Sequence, residues 1–133
     1  MGKVMLDTSV LIALDREPGS ALPGVTDADQ VVLSVVVLGE LLVAAKHPGR
    51  SEKERHASMA FIDELREASI LAGIDDRTAE IFSELRAFTA KSGQPRGSND
   101  LWIAATAVHV GADLVTFDSR AGFHGLPGVR VRS

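Results

Sequence analysis

Val4-Met5-Leu6-Asp7-Thr8-Ser9 is an apolar triplet that stops at a carboxylate followed by two hydroxyls. A short unbroken apolar run reads as a buried strand, and Asp-Thr-Ser supplies side chains that begin helices. Val31-Val32-Leu33-Ser34 repeats the arrangement, and Leu114-Val115-Thr116-Phe117 does so again before Asp118. Helical stretches lie between the strands: Val10 to Leu14, Val35 to Lys46, and an amphipathic Ser51 to Ser69 with Met59, Ile62 and Leu65 three apart. Two more follow. Arg77 to Lys91 carries Ile81, Phe82, Leu85 and Phe88 on one face, and an alanine-rich Asn99 to Val110 ends at Gly111. Ile70 and Leu71 suggest a further short strand, and Val129-Arg130-Val131 an edge strand.

Strands separated by helices of about ten or more residues imply crossover units. The expected fold is therefore α/β: a doubly wound, mostly parallel short sheet flanked by helices. No repeat or linker interrupts it, so residues 1–133 read as one domain. In such sheets ligands bind beyond the carboxyl ends of the strands. Asp7 and Asp118 both fall there.

Composition narrows the chemistry. The 133 residues contain 14 basic and 18 acidic side chains, a net charge of −4, and 45% hydrophobic residues, as in an ordinary globular protein. No cysteine is present, which excludes a disulfide scaffold, a thiolate zinc site, an iron–sulfur cluster and a cysteine nucleophile. The most apolar stretch, Val31 to Ala45, has 12 apolar residues of 15 and is broken by Ser34, Gly39 and Glu40. A membrane-spanning helix needs ~20. With no signal-peptide core before Asp7, a cytoplasmic protein with no membrane association is expected.

Four acidic residues stand out by context. Glu40 is the only charge between Val31 and Ala45, and an unpaired buried carboxylate needs a cation, a proton or water. Each acid also has an ordinary structural reading. Asp7 and Asp100 suit helix N-termini, Glu40 a wet helix face, and Asp118 a turn. Their separations of 33, 60 and 18 residues mean that only the fold could gather them. Clustered carboxylates repel and titrate together, and a divalent cation relieves that repulsion. Oxygen ligands select hard ions, Mg²⁺ or Mn²⁺. His47, His56, His109 and His124 lack ligand-type spacing.

Asp7-Thr8-Ser9-Val10-Leu11-Ile12, Gly39-Glu40-Leu41-Leu42, Asn99-Asp100-Leu101-Trp102-Ile103-Ala104-Ala105 and Thr116-Phe117-Asp118 together resemble the PIN-domain nucleases. Within that family the chain looks most like the VapC toxins of toxin–antitoxin pairs. The resemblance covers nearly the whole chain, in order. It implies a Mg²⁺- or Mn²⁺-dependent endoribonuclease with Asp7, Glu40, Asp100 and Asp118 as catalytic, metal-holding acids. Thr8, Ser9, Asn99 and Thr116 match positions that support such acids by hydrogen bonds. Water would attack the phosphodiester, leaving a 5′-phosphate and a 3′-hydroxyl. Asp7→Ala or Asp100→Asn is expected to abolish cleavage and, by relieving repulsion, to leave the fold intact or slightly more stable.

An acidic chain can still meet RNA. Without the four site acids, 14 acidic residues balance 14 basic ones. Residues 85–98 hold Arg86, Lys91 and Arg96 with no acid, and residues 119–133 hold Arg120, Arg130 and Arg132 with none. These side chains are candidates for gripping phosphates. One Trp, five Phe and no Tyr argue against base-stacking platforms, so recognition of a folded RNA's shape and an exposed loop is expected; the resemblance implies that this RNA is a tRNA or an rRNA. The resemblance also implies a cognate VapB-type antitoxin whose helical tail fills an apolar groove. The Met59/Ile62/Leu65 stripe and the 35–45 helix are candidate walls for it. A homodimer is expected from the apolar surface that so small a domain leaves over.

Other classes fit less well. A phosphoacceptor domain would want an early acidic pair and a late Lys, yet no Lys follows residue 91. A haloacid-dehalogenase-like phosphatase would show Asp-x-Asp, but residue 9 is Ser. Walker and dinucleotide glycine loops are absent. The remaining alternative is a catalytically weak PIN-like domain that only binds RNA or protein.

Overall fold

Met5 stands at the centre of a five-stranded sheet, opposite Val32 on one side and Leu114 on the other. The computed structural model describes residues 2–19, 22, 24–93, 96–118 and 122–132. Its strands are β1 (Lys3–Leu6), β2 (Gln30–Ser34), β3 (Ile70–Ala72), β4 (Asp113–Val115) and β5 (Val131–Arg132). Its α-helices are α1 (Thr8–Arg16), α2 (Val35–Ala45), α3 (Glu52–Ala68), α4 (Asp76–Ser92) and α5 (Ser98–Val110). The strand order is β3-β2-β1-β4-β5, with every pairing parallel. The expected doubly wound α/β fold is present, and its sheet is parallel throughout.

From β1 the chain moves outward through β2 to β3, then crosses back to β4 on the other side of β1. Crossovers are right-handed, so this reversal puts α1–α3 and α4–α5 on opposite faces. α2 contacts α1 and α3, α4 lies against α5, and α2 and α5 also meet, which brings the helices carrying Glu40 and Asp100 together. Covered on both faces, β1 buries Val4, Met5 and Leu6, and β4 buries Leu114 and Val115. Leu11, Leu33, Ile62, Leu85, Leu101, Ile103 and Phe123 complete the core from the surrounding elements. Removing such a side chain from water contributes about 1.5–3 kcal/mol.

Local chemistry sets the helix limits. Ser34 accepts from the Val36 N–H and starts α2. Ser51 and Glu54 form a capping box on α3, as Asp75 and Thr78 do on α4. Gly111 ends α5 in the left-handed region at φ 71°, which glycine reaches without a Cβ clash. The alanines expected to pack closely do so, with Ala104, Ala105 and Ala107 buried in α5.

Several expectations need correction. β4 stops at Val115 rather than Phe117, because Thr116 turns its hydroxyl toward Asp7 and Phe117 is half-exposed. β5 lies at 131–132 rather than 129–131, and α1 extends over 8–16 rather than 10–14. Of the Met59/Ile62/Leu65 stripe, Met59 and Leu65 are partly buried against the core, while Ile62 lines a cavity of about 180 Å³ with Leu41, Ala44 and Ala45 of α2. Phe88, expected on the apolar face with Ile81 and Leu85, is exposed near the end of α4. The helix at 35–45 is not covered all round, since Val43 is 73% exposed. Among the described residues no helix is long and apolar enough to cross a membrane.

Candidate active site

The reversal of strand order beside β1 opens a crevice at the carboxyl ends of β1 and β4, where α/β sheets bind ligands. Asp7 leaves β1 into that crevice as the N-cap of α1, and its Oδ1 accepts from the Val10 N–H at 3.2 Å. The capping reading of Asp7 is therefore correct, but it accounts for only part of the carboxylate. Ser9 Oγ also donates to Oδ1 at 2.6 Å, and Thr116 Oγ1 donates to Oδ2. Each hydroxyl in turn accepts a backbone N–H from the chain leaving β4. Ser9 takes that of Phe117 at 3.1 Å, and Thr116 that of Asp118 at 3.0 Å. Two hydroxyls thus stitch the exits of β1 and β4 together around one buried carboxylate.

Glu40 comes from α2, six residues past its Ser34 cap. Thr8 Oγ1 donates to Glu40 Oε1 at 2.5 Å, and Asn99 Nδ2 donates to Oε2 at 3.4 Å. Asp100 stands in the first turn of α5, yet it does not cap that helix: the N-cap is Gly97, without a side-chain bond. Burial pushes the Asp100 carboxyl up from its ordinary range, and the charges of Glu40, Asp118 and Asp7 push it further. Arg96 opposes them. Asp100 therefore lies within electrostatic range of the other three acids singled out by sequence context.

These donors suit a hard divalent cation in charge and in atom type. Among the described residues no three histidine or acidic side chains form a ready-made metal cage. The arrangement is an open one, fitting an ion that keeps several water ligands, as Mg²⁺ does.

All four supporting residues lie at the cluster: Thr8 and Asn99 on Glu40, Ser9 and Thr116 on Asp7. The basic residues fare differently. Arg86 donates to Arg96 O and to Ser98 Oγ, so its guanidinium is engaged with the protein. Arg96 lies near Asp100 and donates to Gly122 O at 3.4 Å. Lys91 is exposed in the last turn of α4. Arg120 lies outside the described residues. Arg130 pairs with Asp113 and stays largely exposed, while Arg132 is engaged with both Asp29 and Asp113.

Sequence reasoning missed three supports of the site: Phe82 stacked on Trp102, Ser98, and Gly122 under the Arg96 guanidinium. Only the glycine carried a signal, as a turn residue after Asp118. Beside Glu40, an open trough of about 710 Å³ is lined by Thr8, Val35, Val36, Gly39, Val43, Ala44 and Asn99. Its floor is apolar.

The PIN domain family matches residues 4–127. Ribonuclease VapC5 of Mycobacterium tuberculosis is 34% identical over 114 residues, 86% of this chain and 82% of its own. The solved VapBC-5 toxin–antitoxin structure from the same organism has a TM-score of 0.78 at 28% identity, covering 98% of both chains. DNA-bound VapBC of Salmonella typhimurium gives 0.81 at 24% identity, covering 99% of this chain and 98% of that one. Strand order, acidic crevice and sequence similarity lead to one assignment: this chain belongs to the PIN domain family, with VapC ribonucleases among its relatives.

Proposed function

We propose that this chain is a VapC-type toxin: a metal-dependent endoribonuclease that cleaves a specific structured RNA, a tRNA or an rRNA, and is held inactive by a VapB-type antitoxin. Residues 1–133 work as one nuclease domain in the cytoplasm. The observation that carries this reading is the place of Asp100, partly buried in the first turn of α5 and within electrostatic range of Glu40, Asp118 and Asp7: burial first, and those charges next, raise its carboxyl above the ordinary range. A partly buried carboxylate with acidic neighbours is costly to keep charged, and Asp7 and Asp118 follow β1 and β4 on the side where α/β sheets bind ligands.

Asp7, Glu40, Asp100 and Asp118 would hold Mg²⁺ or Mn²⁺, which supplies charge neutralisation for the phosphodiester and acidifies water for attack. The chain's own contribution is orientation. Ser9 and Thr116 fix both oxygens of Asp7, while Thr8 and Asn99 fix those of Glu40. The scissile phosphate would enter at the open side of the crevice.

The apolar trough beside Glu40 supports the antitoxin reading, because an amphipathic segment laid there would reach the acidic cluster. The exposed Ile70 and Leu71 of edge strand β3 supply apolar surface of the kind that a homodimer covers. The openness of the cluster favours the second reading, a domain that binds RNA or protein with little catalysis.

The test is incubation of the purified chain with total RNA, with and without Mg²⁺, followed by mapping of new 5′ ends. Discrete Mg²⁺-dependent ends that vanish in Asp100→Asn are expected. RNA left intact, with Mn²⁺ binding absent by calorimetry, would replace the nuclease reading with the binding one.

A further inference from the structure

Four helices begin on a side chain that caps them: Asp7 for α1, Ser34 for α2, Ser51 for α3 and Asp75 for α4. α5 begins on Gly97, which has no side chain to offer. Glycine also loses more freedom on ordering than any other residue. Yet the first turn of α5 is the one that carries Asn99 and Asp100.

The restraint comes from α4. Arg86 Nη1 donates to Arg96 O at 3.2 Å and Nη2 donates to Ser98 Oγ at 2.9 Å, so the guanidinium brackets Gly97 from both sides. One turn earlier on α4, Phe82 stacks on Trp102, one turn later on α5. Their ring centroids are 3.9 Å apart with planes at 17°. Arg86 itself lies over the Phe82 ring at 5.6 Å. Two antiparallel rungs thus fix both the position and the rotation of the start of α5.

We propose that Arg86 is a positioning residue for the acidic cluster: bracketing Gly97, it sets Asn99 and Asp100 against Glu40 and Asp7 without touching substrate. The inference rests on the reading of the cluster as a cation-binding nuclease site. It gives a structural task to a side chain that charge alone would assign to phosphate. The planar fork of an arginine reaches two acceptors on either side of one residue, whereas a lysine offers a single ammonium point.

The test compares the full chain with Arg86→Ala, Arg86→Lys and Ser98→Ala. Mn²⁺ affinity is measured by calorimetry, and cleavage is followed against Mn²⁺, RNA and salt. Arg86→Ala is expected to weaken Mn²⁺ binding about 10-fold. The Mn²⁺ concentration for half-maximal cleavage rises by the same factor, while KM for RNA and its salt dependence stay unchanged. Arg86→Lys behaves like Arg86→Ala although it keeps the charge, and Ser98→Ala shifts Mn²⁺ affinity less, in the same direction. Should Arg86→Ala fail to fold, the other two variants carry the comparison. A lower rate with an unmoved Mn²⁺ midpoint overturns the proposal, as does a raised KM for RNA that lysine restores. A parent chain that neither binds Mn²⁺ nor cleaves RNA overturns the functional reading and this inference together.

Discussion

The Thr116 hydroxyl donates to Asp7 Oδ2, joining residues 109 positions apart across the seam between β4 and β1. Thr116 Oγ1 also accepts the Asp118 N–H, so one hydroxyl contacts two of the four acidic residues. Thr116→Val removes both bonds at nearly constant volume. Cleavage is expected to fall about 10–100-fold, the usual cost of losing a hydrogen-bond partner behind a metal-holding carboxylate. Thr116→Ser keeps the hydroxyl and should retain most activity. Single-turnover rates for the two variants check this, and equal rates would remove Thr116 from the site.

Asp7 and Asp100 should differ in their effect on stability although both belong to the proposed catalytic cluster. Asp7 caps α1 and satisfies the Ser9 and Thr116 hydroxyls from a buried position. Asp7→Ala is therefore expected to destabilise the fold by about 1 kcal/mol, against the sequence-based expectation that relief of repulsion dominates. Asp100 caps nothing, and its carboxyl is raised by burial and by its acidic neighbours. A raised carboxyl favours the folded state while protonated and loses that contribution as pH climbs through its folded value. In chelator at neutral pH, Asp100→Asn should thus melt at or slightly above the parent, the difference closing as acid neutralises the parent's Asp100. Thermal melts over a pH series test both variants.

Gly122 sits at φ +67°, and a Cβ there would lie 2.5 Å from Arg96 Nη2 and 2.7 Å from Cζ. Gly122→Ala has to strain the backbone, at about 1–2 kcal/mol, and also displace the guanidinium. In an Arg96→Ala background only the backbone part remains, so the two penalties should be less than additive. Urea midpoints for the four chains of this cycle measure the coupling. Additive values would show that the glycine does not make room for Arg96.

Asp29 supplies an acid-sensitive fastening far from the crevice. Its Oδ2 accepts from Arg132 Nη1 at 2.8 Å and from the Thr26 N–H at 2.9 Å, and these bonds lower its carboxyl from 3.8 to about 2. A lowered carboxyl stabilises the fold above its unfolded value and loses that contribution as pH falls through its folded one. The parent should therefore lose stability between about pH 4 and about pH 2 more steeply than Asp29→Asn. The variant should be the less stable chain at neutral pH, with the two curves meeting at the acid end. Parallel curves in denaturant series across that range would assign the acid loss to other groups.

The sheet is legible in the sequence because parallel strands covered on both faces read as unbroken apolar runs, as at Val4–Leu6 and Val31–Leu33. The same reading overran at Thr116 and Phe117, whose side chains are apolar enough for a strand but serve the crevice and the surface instead. The acids could be singled out because a charge such as Glu40 is conspicuous in an apolar setting. What holds them could be matched only by resemblance, and Arg86 was read as an RNA contact because its partners, Arg96 O and Ser98 Oγ, are met only once α4 and α5 pack. Helix α2 misled in another way. Hydropathy reports what a residue prefers, and Val43 is left exposed beside the trough despite its preference.

Because β4 docks beside β1, the first strand made waits for nearly the last. A ribosome that has released residues up to Val110 has already delivered Asp7, Glu40 and Asp100, but neither Thr116 nor Asp118. The seam between β1 and β4, with the two hydroxyl bridges that orient Asp7, therefore closes only after α5 and β4 have been made.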